Sequence, residues 1–233
     1  MVEPLHTVLV PGLLCTARLY TEQLPALWRL GPVTVADHTR DADVASLARR
    51  LLEHAPPRFA LVALSMGGYV AFELLRQVPE RVARLVLLDT TERSDTPEQA
   101  AARRQLMALA HEGRFSEVPD RLFPRFVHRQ RQGDAALLQL LRRMADETGV
   151  AAFLRQETTI LHRPDSRASL AAIRCPTTVI VGAGDELTPP EVAREIADAV
   201  PGARLIEIAD AGHLSPLERP VEVTAALVEA LSS

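Results

Sequence analysis

Six short runs of aliphatic and β-branched residues recur along this chain, with amphipathic segments between them. The runs lie at residues 7–10, 33–36, 59–64, 85–88, 178–181 and 205–208. The other segments have apolar residues three and four positions apart, as helices do, at residues 19–30, 44–55, 66–78, 190–199 and 220–231. Strands that alternate with helices of this length indicate βαβ units and a mostly parallel sheet. The sequence therefore predicts an α/β fold.

The alternation is interrupted once, after the fourth run. The stretch between the fourth and fifth runs, residues 91–173, contains no strand-like run. It carries only helical patterns, at residues 97–111, 118–131, 135–146 and 151–161. A long insertion of this kind in a compact domain is typical of a lid over a binding site. We therefore expect a core of residues 1–90 and 174–233 and a helical cap of residues 91–173.

Composition excludes several classes of function. The 26 basic residues are all arginine, and without lysine the chain cannot form a Schiff base or a P-loop. A net charge of −4 gives no overall attraction to nucleic acid, and no apolar run is long enough to span a membrane. The histidines and the two cysteines, Cys15 and Cys175, lack the spacing of metal ligands. We expect a cytoplasmic protein with free thiols, no metal, and no nucleic-acid or membrane partner.

Ligands bind outside the carboxyl ends of the strands in open parallel sheets, and Ser65 stands at such an end, directly after the third run. A serine at a strand-to-helix turn projects its hydroxyl into the cleft, and the following helix N-terminus offers amide groups to an oxyanion. The turn requires small neighbours. Ala63 and Gly67 both meet this requirement, although Ala63 departs from the first glycine of the usual G-x-S-x-G pattern. The alternative interpretation is that Ser65 only caps the helix.

Two further strand ends supply an acid and a base. Asp185 lies in a glycine- and proline-flanked loop after the fifth run, and His213 follows Gly212 after the sixth. A histidine at this edge can take the proton of Ser65, while the aspartate accepts a hydrogen bond from the other ring nitrogen. The order serine, aspartate, histidine is the order found on this type of sheet. The sequence therefore predicts a Ser65-Asp185-His213 triad.

With these residues the chain resembles enzymes of the α/β-hydrolase fold. Four motifs carry the resemblance, which spans nearly the whole chain: VLVPGLL, ALSMGGYVAFEL, VGAGDELTPP and DAGHLSPLERP. The resemblance implies a capped, esterase- or lactonase-like serine hydrolase. It also implies about six strands in a mostly parallel sheet, because the chain begins close to the third strand of the family.

The resemblance further implies an oxyanion hole. The family usually has His-Gly after this first strand, where the chain has Pro11-Gly12. Since the donor is a backbone amide, we expect the N–H groups of Leu13 and Met66 to form the oxyanion hole. The alternative interpretation is that Pro11-Gly12 is an ordinary turn that ends the strand. Apolar residues that flank the cleft predict a substrate pocket for an uncharged acyl or alkyl group. These residues are Leu14, Leu187 and Leu214, beside Leu13 and Met66.

Other residues compete for roles at these strand ends. Asp89 is an alternative acid because some members of the family place the acid after this strand. Asp210 lies too near His213 along the chain to face it easily and is expected to be a turn residue. His38 is expected to be a solvated loop histidine, with a place in the cleft as the alternative.

The cap carries four arginines at about helical spacing. A solvated helix face is the default expectation, and recruitment of an anionic substrate or an acyl-carrier partner is the alternative. These are Arg121, Arg125, Arg129 and Arg131.

The function hypothesis is cofactor-free hydrolysis of a small-molecule carboxylic ester, lactone or thioester through an acyl-Ser65 intermediate. A non-hydrolytic enzyme of the same fold, either a C–C lyase or an acyltransferase, is one alternative. A ligand-binding signalling module that retains the triad is the other, because fold alone does not fix function. An apolar cap face would be compatible with a homodimer.

Overall fold

The structure is a computed structural model that describes residues 4–232 of the chain. Within them, six strands form one sheet: β1 (His6–Val10), β2 (Val33–Val35), β3 (Phe59–Leu64), β4 (Val82–Leu88), β5 (Thr177–Gly182) and β6 (Arg204–Ile208). The strand order is β2-β1-β3-β4-β5-β6, and every neighbouring pair is parallel. The predicted α/β fold with a six-stranded parallel sheet is confirmed.

Helices follow the strands and fill the long stretch between β4 and β5. Along the described chain they are α1 (Leu24–Leu27), α2 (Val44–His54), α3 (Met66–Gln77), α4 (Pro97–His111), α5 (Val118–Phe126), α6 (Ala135–Thr148), α7 (Val150–Leu161), α8 (Arg167–Leu170), α9 (Pro190–Ala199), α10 (Ser215–Glu218) and α11 (Pro220–Ser232). Helices α4 to α8 lie between β4 and β5, where α4 packs against α7 and α5 against α6. No helix within residues 4–232 is both long and apolar enough to cross a bilayer.

Two predicted helices are shorter in the structure, and each contains a proline. The segment 19–30 forms a 3₁₀ turn (Ala17–Tyr20) followed by the four-residue α1 instead of one helix. Pro25 stands at the start of α1, where its missing amide is tolerated, but a helix cannot run through it. The segment 118–131 ends as α5 at Phe126, two residues after Pro124, and continues as a separate 3₁₀ turn.

The sheet is covered on both faces, which explains why its central strands are apolar at every position. All six residues of β3 and all six of β5 are buried. Parallel sheets covered by helices have continuous apolar strands instead of alternating ones, and the two strands follow this rule. Ser65 follows β3 and Asp185 follows β5, so both lie at the carboxyl edge of the sheet.

Candidate active site

The turn between β3 and α3 holds Ser65 in an unusual backbone conformation. Its φ of 52° and ψ of −114° lie in a region that residues other than glycine rarely adopt. The backbone is crowded around the turn: a Cβ on Gly67 would lie 2.3 Å from the carbonyl oxygen of Val10. A Cβ on Gly68 would lie 2.3 Å from Thr90 Oγ1, which donates a hydrogen bond of 2.7 Å to the Ser65 carbonyl. The turn is therefore fixed from both sides, and Ser65 lines a cavity.

The three side chains predicted as a triad form one hydrogen-bonded row. Ser65 Oγ lies 2.8 Å from His213 Nε2, and His213 Nδ1 lies 2.8 Å from Asp185 Oδ2. Because an ionised carboxylate only accepts, we assign the ring hydrogen to Nδ1, which leaves Nε2 to accept from the serine hydroxyl. Ser65 is 9% exposed, and the other two residues are almost fully buried. Water therefore has little access to the row except through the cavity beside Ser65.

Asp185 is held by its own loop as well as by the histidine. Its Oδ1 accepts from the amides of Leu187 and Thr188, at 2.8 Å and 3.0 Å, and its Oδ2 accepts from the Thr188 hydroxyl at 2.7 Å. Burial by itself raises the pKa of Asp185, but His213 and these hydrogen bonds outweigh burial and hold the pKa below its usual value. Asp185 is therefore an anion that faces the ring of His213.

The environment of His213 favours its protonated form. Burial lowers the pKa of His213, but the charge and hydrogen bond of Asp185, with the charges of Asp89 and Glu218, raise it more. The net pKa lies above the ordinary value of 6.5. The ring also packs against Phe126, with centroids 5.6 Å apart. The surroundings of His213 thus stabilise its protonated form.

Asp89, the alternative acid, occupies a different position at the same edge. Its Oδ1 accepts from the Gly182 amide at 2.8 Å, and its Oδ2 accepts from the Ser215 hydroxyl at 2.5 Å. Burial and the nearby charge of Asp185 raise the pKa of Asp89 well above its usual value. Within residues 4–232, Asp89 has no hydrogen bond to His213. Asp185 is the carboxylate that contacts the base.

The loop after β1 lies close to Ser65, since a Cβ on Gly12 would be 3.3 Å from Ser65 Cβ, and two contacts that sequence reasoning missed hold the loop in place. Leu14 has a left-handed backbone, with φ 59°, and its amide donates to Gln156 Oε1 at 3.1 Å. His38 Nε2 donates to the Gly12 carbonyl at 2.9 Å. The expectation of a solvated His38 is wrong, because the residue is 4% exposed and sits behind this loop. No local pattern signals these contacts, since Gln156 belongs to α7, far along the chain.

The two amides expected to form an oxyanion hole flank Ser65. Met66 is the first residue of α3, so its amide has no acceptor within the helix. Leu13 lines the same cavity as Ser65, and the side chain of Gln156 engages the next amide, that of Leu14, instead. The assignment of these two N–H groups to an oxyanion hole stays a prediction.

The cavity that contains Ser65 lies between the sheet edge and α4, α5 and α7. Of the predicted pocket residues, Leu187 lines it, as does Leu13. Leu14 and Leu214 do not line it, because both are packed in the core, at 0% and 2% exposure. The side of the cavity formed by the helices between β4 and β5 adds apolar side chains together with four charged residues, of which only Arg125 was a sequence candidate. The charged lining residues are Asp95, Arg103, Arg125 and Arg163.

The remaining sequence candidates fall outside this row of side chains. Asp210 is an exposed turn residue with φ 53°. Cys15 is buried, and burial raises the pKa of its thiol to about 12, which is unsuited to a nucleophile. In the described part of the chain, no group of three metal-ligating side chains could hold a metal ion.

The four cap arginines do not form one stripe. Arg121 pairs with Glu117, and Arg131 pairs with Asp134. Arg129 is exposed, and only Arg125 of the four reaches the cavity of Ser65.

Comparison with known proteins agrees with this architecture. The chain is 34% identical over 226 residues to a pimeloyl-[acyl-carrier protein] methyl ester esterase of Aromatoleum aromaticum, covering 90% of this chain and 89% of that protein. A thermophilic esterase from Thermogutta terrifontis superposes with a TM-score of 0.89 at 28% identity, over 99% of this chain and 90% of that one. A bromoperoxidase from Bacillus anthracis, at 19% identity and TM-score 0.82 over 98% and 92% of the two chains, shows the fold alone.

Family membership follows from nearly the full length of the sequence. Residues 6–227 match the Alpha/beta hydrolase family. The matched region includes the turn at Ser65 and the loops of Asp185 and His213. The chain therefore belongs to the alpha/beta hydrolase family.

Proposed function

We propose that this protein is a serine hydrolase that cleaves a carboxylic ester, lactone or thioester through an acyl-Ser65 intermediate. The observation that carries the proposal is the row Ser65-His213-Asp185, joined by two contacts of 2.8 Å and opening into a cavity. Such a row activates a hydroxyl that is otherwise a poor nucleophile. The relatives named as esterases support the same reaction class.

In the first half of the reaction, His213 acts as the general base. Its Nε2 takes the proton as Ser65 Oγ attacks the carbonyl carbon, and Asp185 stabilises the imidazolium that forms. The carbonyl oxygen becomes an oxyanion, which the amides of Leu13 and Met66 receive. Loss of one such donor typically costs about 3 kcal/mol of transition-state stabilisation. His213 then returns the proton to the leaving oxygen or sulfur, and the acyl group remains on Ser65.

In the second half, water replaces the leaving group. His213 takes a proton from the water as it attacks the acyl carbon, and the collapsing intermediate releases the carboxylic acid. The proton on His213 returns to Ser65 Oγ. No step requires a lysine, in agreement with a chain that has none.

Replacement of the nucleophile tests the proposal. We expect Ser65→Ala to lower kcat on p-nitrophenyl acetate by roughly four orders of magnitude or more, because the nucleophile is lost. Methyl esters and lactones complete the substrate panel, since the Aromatoleum relative is named for a methyl ester. A fluorophosphonate probe should label wild type at Ser65 and leave Ser65→Ala unlabelled.

Ser116→Ala is the matched control, because Ser116 is exposed on a 3₁₀ turn away from the cavity. It should retain full activity and labelling. Ester turnover by Ser65→Ala at the parental rate would refute the proposal. Labelling of wild type without turnover of any ester would favour a binding module that retains the triad, and acyl transfer to an added alcohol in place of water would favour a transferase.

A further inference from the structure

The cavity of Ser65 has two chemically different walls. On the sheet side, Leu13 and Leu187 lie beside the nucleophile. On the side of the helices between β4 and β5, Arg103 of α4, Arg125 of α5 and Arg163, which follows α7, reach the same cavity. The arginines of the cavity therefore all come from the helical side, where apolar residues such as Leu106 and Phe126 also line it.

Two of these arginines are neutralised by buried carboxylates. Arg103 Nε lies 2.7 Å from one oxygen of Asp95, and Arg163 Nη2 lies 2.8 Å from the other. Arg103 Nη1 also donates to Glu157 Oε2 at 3.0 Å. Arg125, by contrast, has no ion pair or hydrogen bond to any residue of the described chain. With Asp95 and Glu157 both ionised, the three arginines and two acids leave one positive charge, that of Arg125, without an acidic partner among the described residues.

The two paired arginines differ in the donors they have left. Arg163 Nε and Nη1 donate to the carbonyls of Arg93 and Ile160, Nη2 forms an ion pair with Asp95, and the guanidinium lies 4.3 Å from the ring centroid of Tyr69. These contacts hold the Arg163 side chain in place, so we assign it a structural role. Arg103 donates from Nε and Nη1 to carboxylates of the described chain, but its Nη2 has no hydrogen-bond partner among the described residues. The side chain of Arg103 is only 17% exposed. A guanidinium has five N–H donors, and unmet donors in a buried site favour an acceptor from the ligand.

We propose that the substrate carries a carboxylate remote from the bond that Ser65 attacks, and that Arg125 and Arg103 bind this carboxylate. The inference rests on the proposed function and adds a substrate class to it: half-esters of dicarboxylic acids, or lactones that bear a carboxylate. A single uncompensated positive charge matches one monoanionic group. The planar guanidinium forms paired hydrogen bonds with a carboxylate, which a neutral amide matches poorly.

A pair of substrates that differ only in this charge tests the inference. Mono-4-nitrophenyl adipate has a free carboxylate, and its neutral counterpart has a primary amide in that place. We expect wild type to prefer the carboxylate ester about tenfold in kcat/KM, the value of one charge-assisted hydrogen bond. Arg125→Gln should bring the ratio of the two kcat/KM values close to one, and added salt should lower the wild-type ratio.

Arg121→Gln is the matched control, an exposed arginine four residues earlier on the same helix that does not line the cavity. It should keep the wild-type ratio. A binding measurement that needs no turnover complements the kinetics: calorimetry of Ser65→Ala with monomethyl adipate and with its amide counterpart. We expect about tenfold tighter binding of the carboxylate, lost when Arg125→Gln is added.

The outcomes separate the inference from the function on which it rests. Equal kcat/KM and equal binding for the two ligands would overturn the carboxylate site, while continued turnover of p-nitrophenyl acetate would leave the hydrolase proposal standing. A carboxylate preference that survives Arg125→Gln would also overturn the site as assigned. If no ester is turned over, the proposed function fails, and the calorimetry still decides whether Arg125 binds the carboxylate.

Discussion

At the scale of single residues, the electrostatics of His213 link its surroundings to a measurable pH dependence. Burial lowers the pKa of the ring, and Asp185 raises it by its charge and by the hydrogen bond of 2.8 Å. The sum lies above the ordinary value of 6.5. A general base works only when it is deprotonated, so the raised pKa sets the lower edge of the active range.

We therefore expect kcat/KM to rise with pH through a midpoint above 6.5, the ordinary histidine value that the structure raises. Asp185→Asn removes the charge that raises the pKa, so the midpoint should move to lower pH. The same change should lower kcat by roughly four orders of magnitude, because an asparagine amide can donate to Nδ1 and so favours the imidazole tautomer that cannot accept the serine proton. Measurement of kcat/KM against pH on both proteins checks this.

The control for this experiment is Asp89→Asn, which removes another buried carboxyl group at the same edge of the sheet. Asp89 contacts Ser215 and Gly182 instead of the histidine, so kcat should fall at most about tenfold, the value of one hydrogen bond. If Asp89→Asn proved as damaging as Asp185→Asn, the assignment of the acid would be wrong. A wild-type midpoint below 6.5 would contradict the environment assigned to His213.

At the scale of elements, the close approach of α3 to β1 fixes the turn that presents Ser65. A Cβ on Gly67 would lie 2.3 Å from a backbone oxygen of β1, which no side-chain rotation can relieve. Gly67→Ala should therefore lower the free energy of unfolding by about 2–3 kcal/mol, the usual cost of overpacking. Urea unfolding monitored by circular dichroism measures this difference, and fluorophosphonate labelling reports the turn.

Gly133→Ala provides the comparison, because a Cβ there would meet nothing within 4 Å. This change should alter stability by less than about 1 kcal/mol. Equal effects of the two substitutions would show that the contact between α3 and β1 can give way.

Some strands and helices could be predicted from the sequence more accurately than others. The central strands β3 and β5 were predicted to within one residue at each end, because a strand buried on both faces is a short apolar run between polar loops. The helices at 19–30 and 118–131 were predicted too long, because apolar spacing does not register the breaks in the helical backbone near Pro25 and Pro124.

Some residues of the candidate site could also be predicted from the sequence, and others could not. Ser65, Asp185 and His213 each follow a recognisable strand, so their positions could be read from the chain, and the structure brings them within hydrogen-bond distance. Gln156 and His38 could not be found, because their contacts with the loop after β1 join residues 142 and 26 positions apart. Such contacts depend on how helices pack, which no local pattern specifies.

At the scale of the whole molecule, one buried acid joins three separate segments around the cavity. Asp95, in the segment after β4, faces Arg103 of α4 at 2.7 Å and Arg163, which follows α7, at 2.8 Å. The contact with Arg103 is a hydrogen bond, and the one with Arg163 is an ion pair without hydrogen-bond geometry. The side chain of Asp95 is 4% exposed, so water screens neither interaction well.

Removal of this acid should leave Arg163 without an ion-pair partner and Arg103 with Glu157 alone. We expect Asp95→Ala to lower the free energy of unfolding by about 3–4 kcal/mol, because a buried charge is left uncompensated. Asp120→Ala breaks an Asp–Arg pair of the same length, 2.7 Å to Arg142, whose side chains are 43% and 38% exposed. It should cost no more than about 1 kcal/mol, as exposed ion pairs do. Urea unfolding of both variants measures the difference, and similar losses would mean that Asp95 does not hold the helices together over the nucleophile.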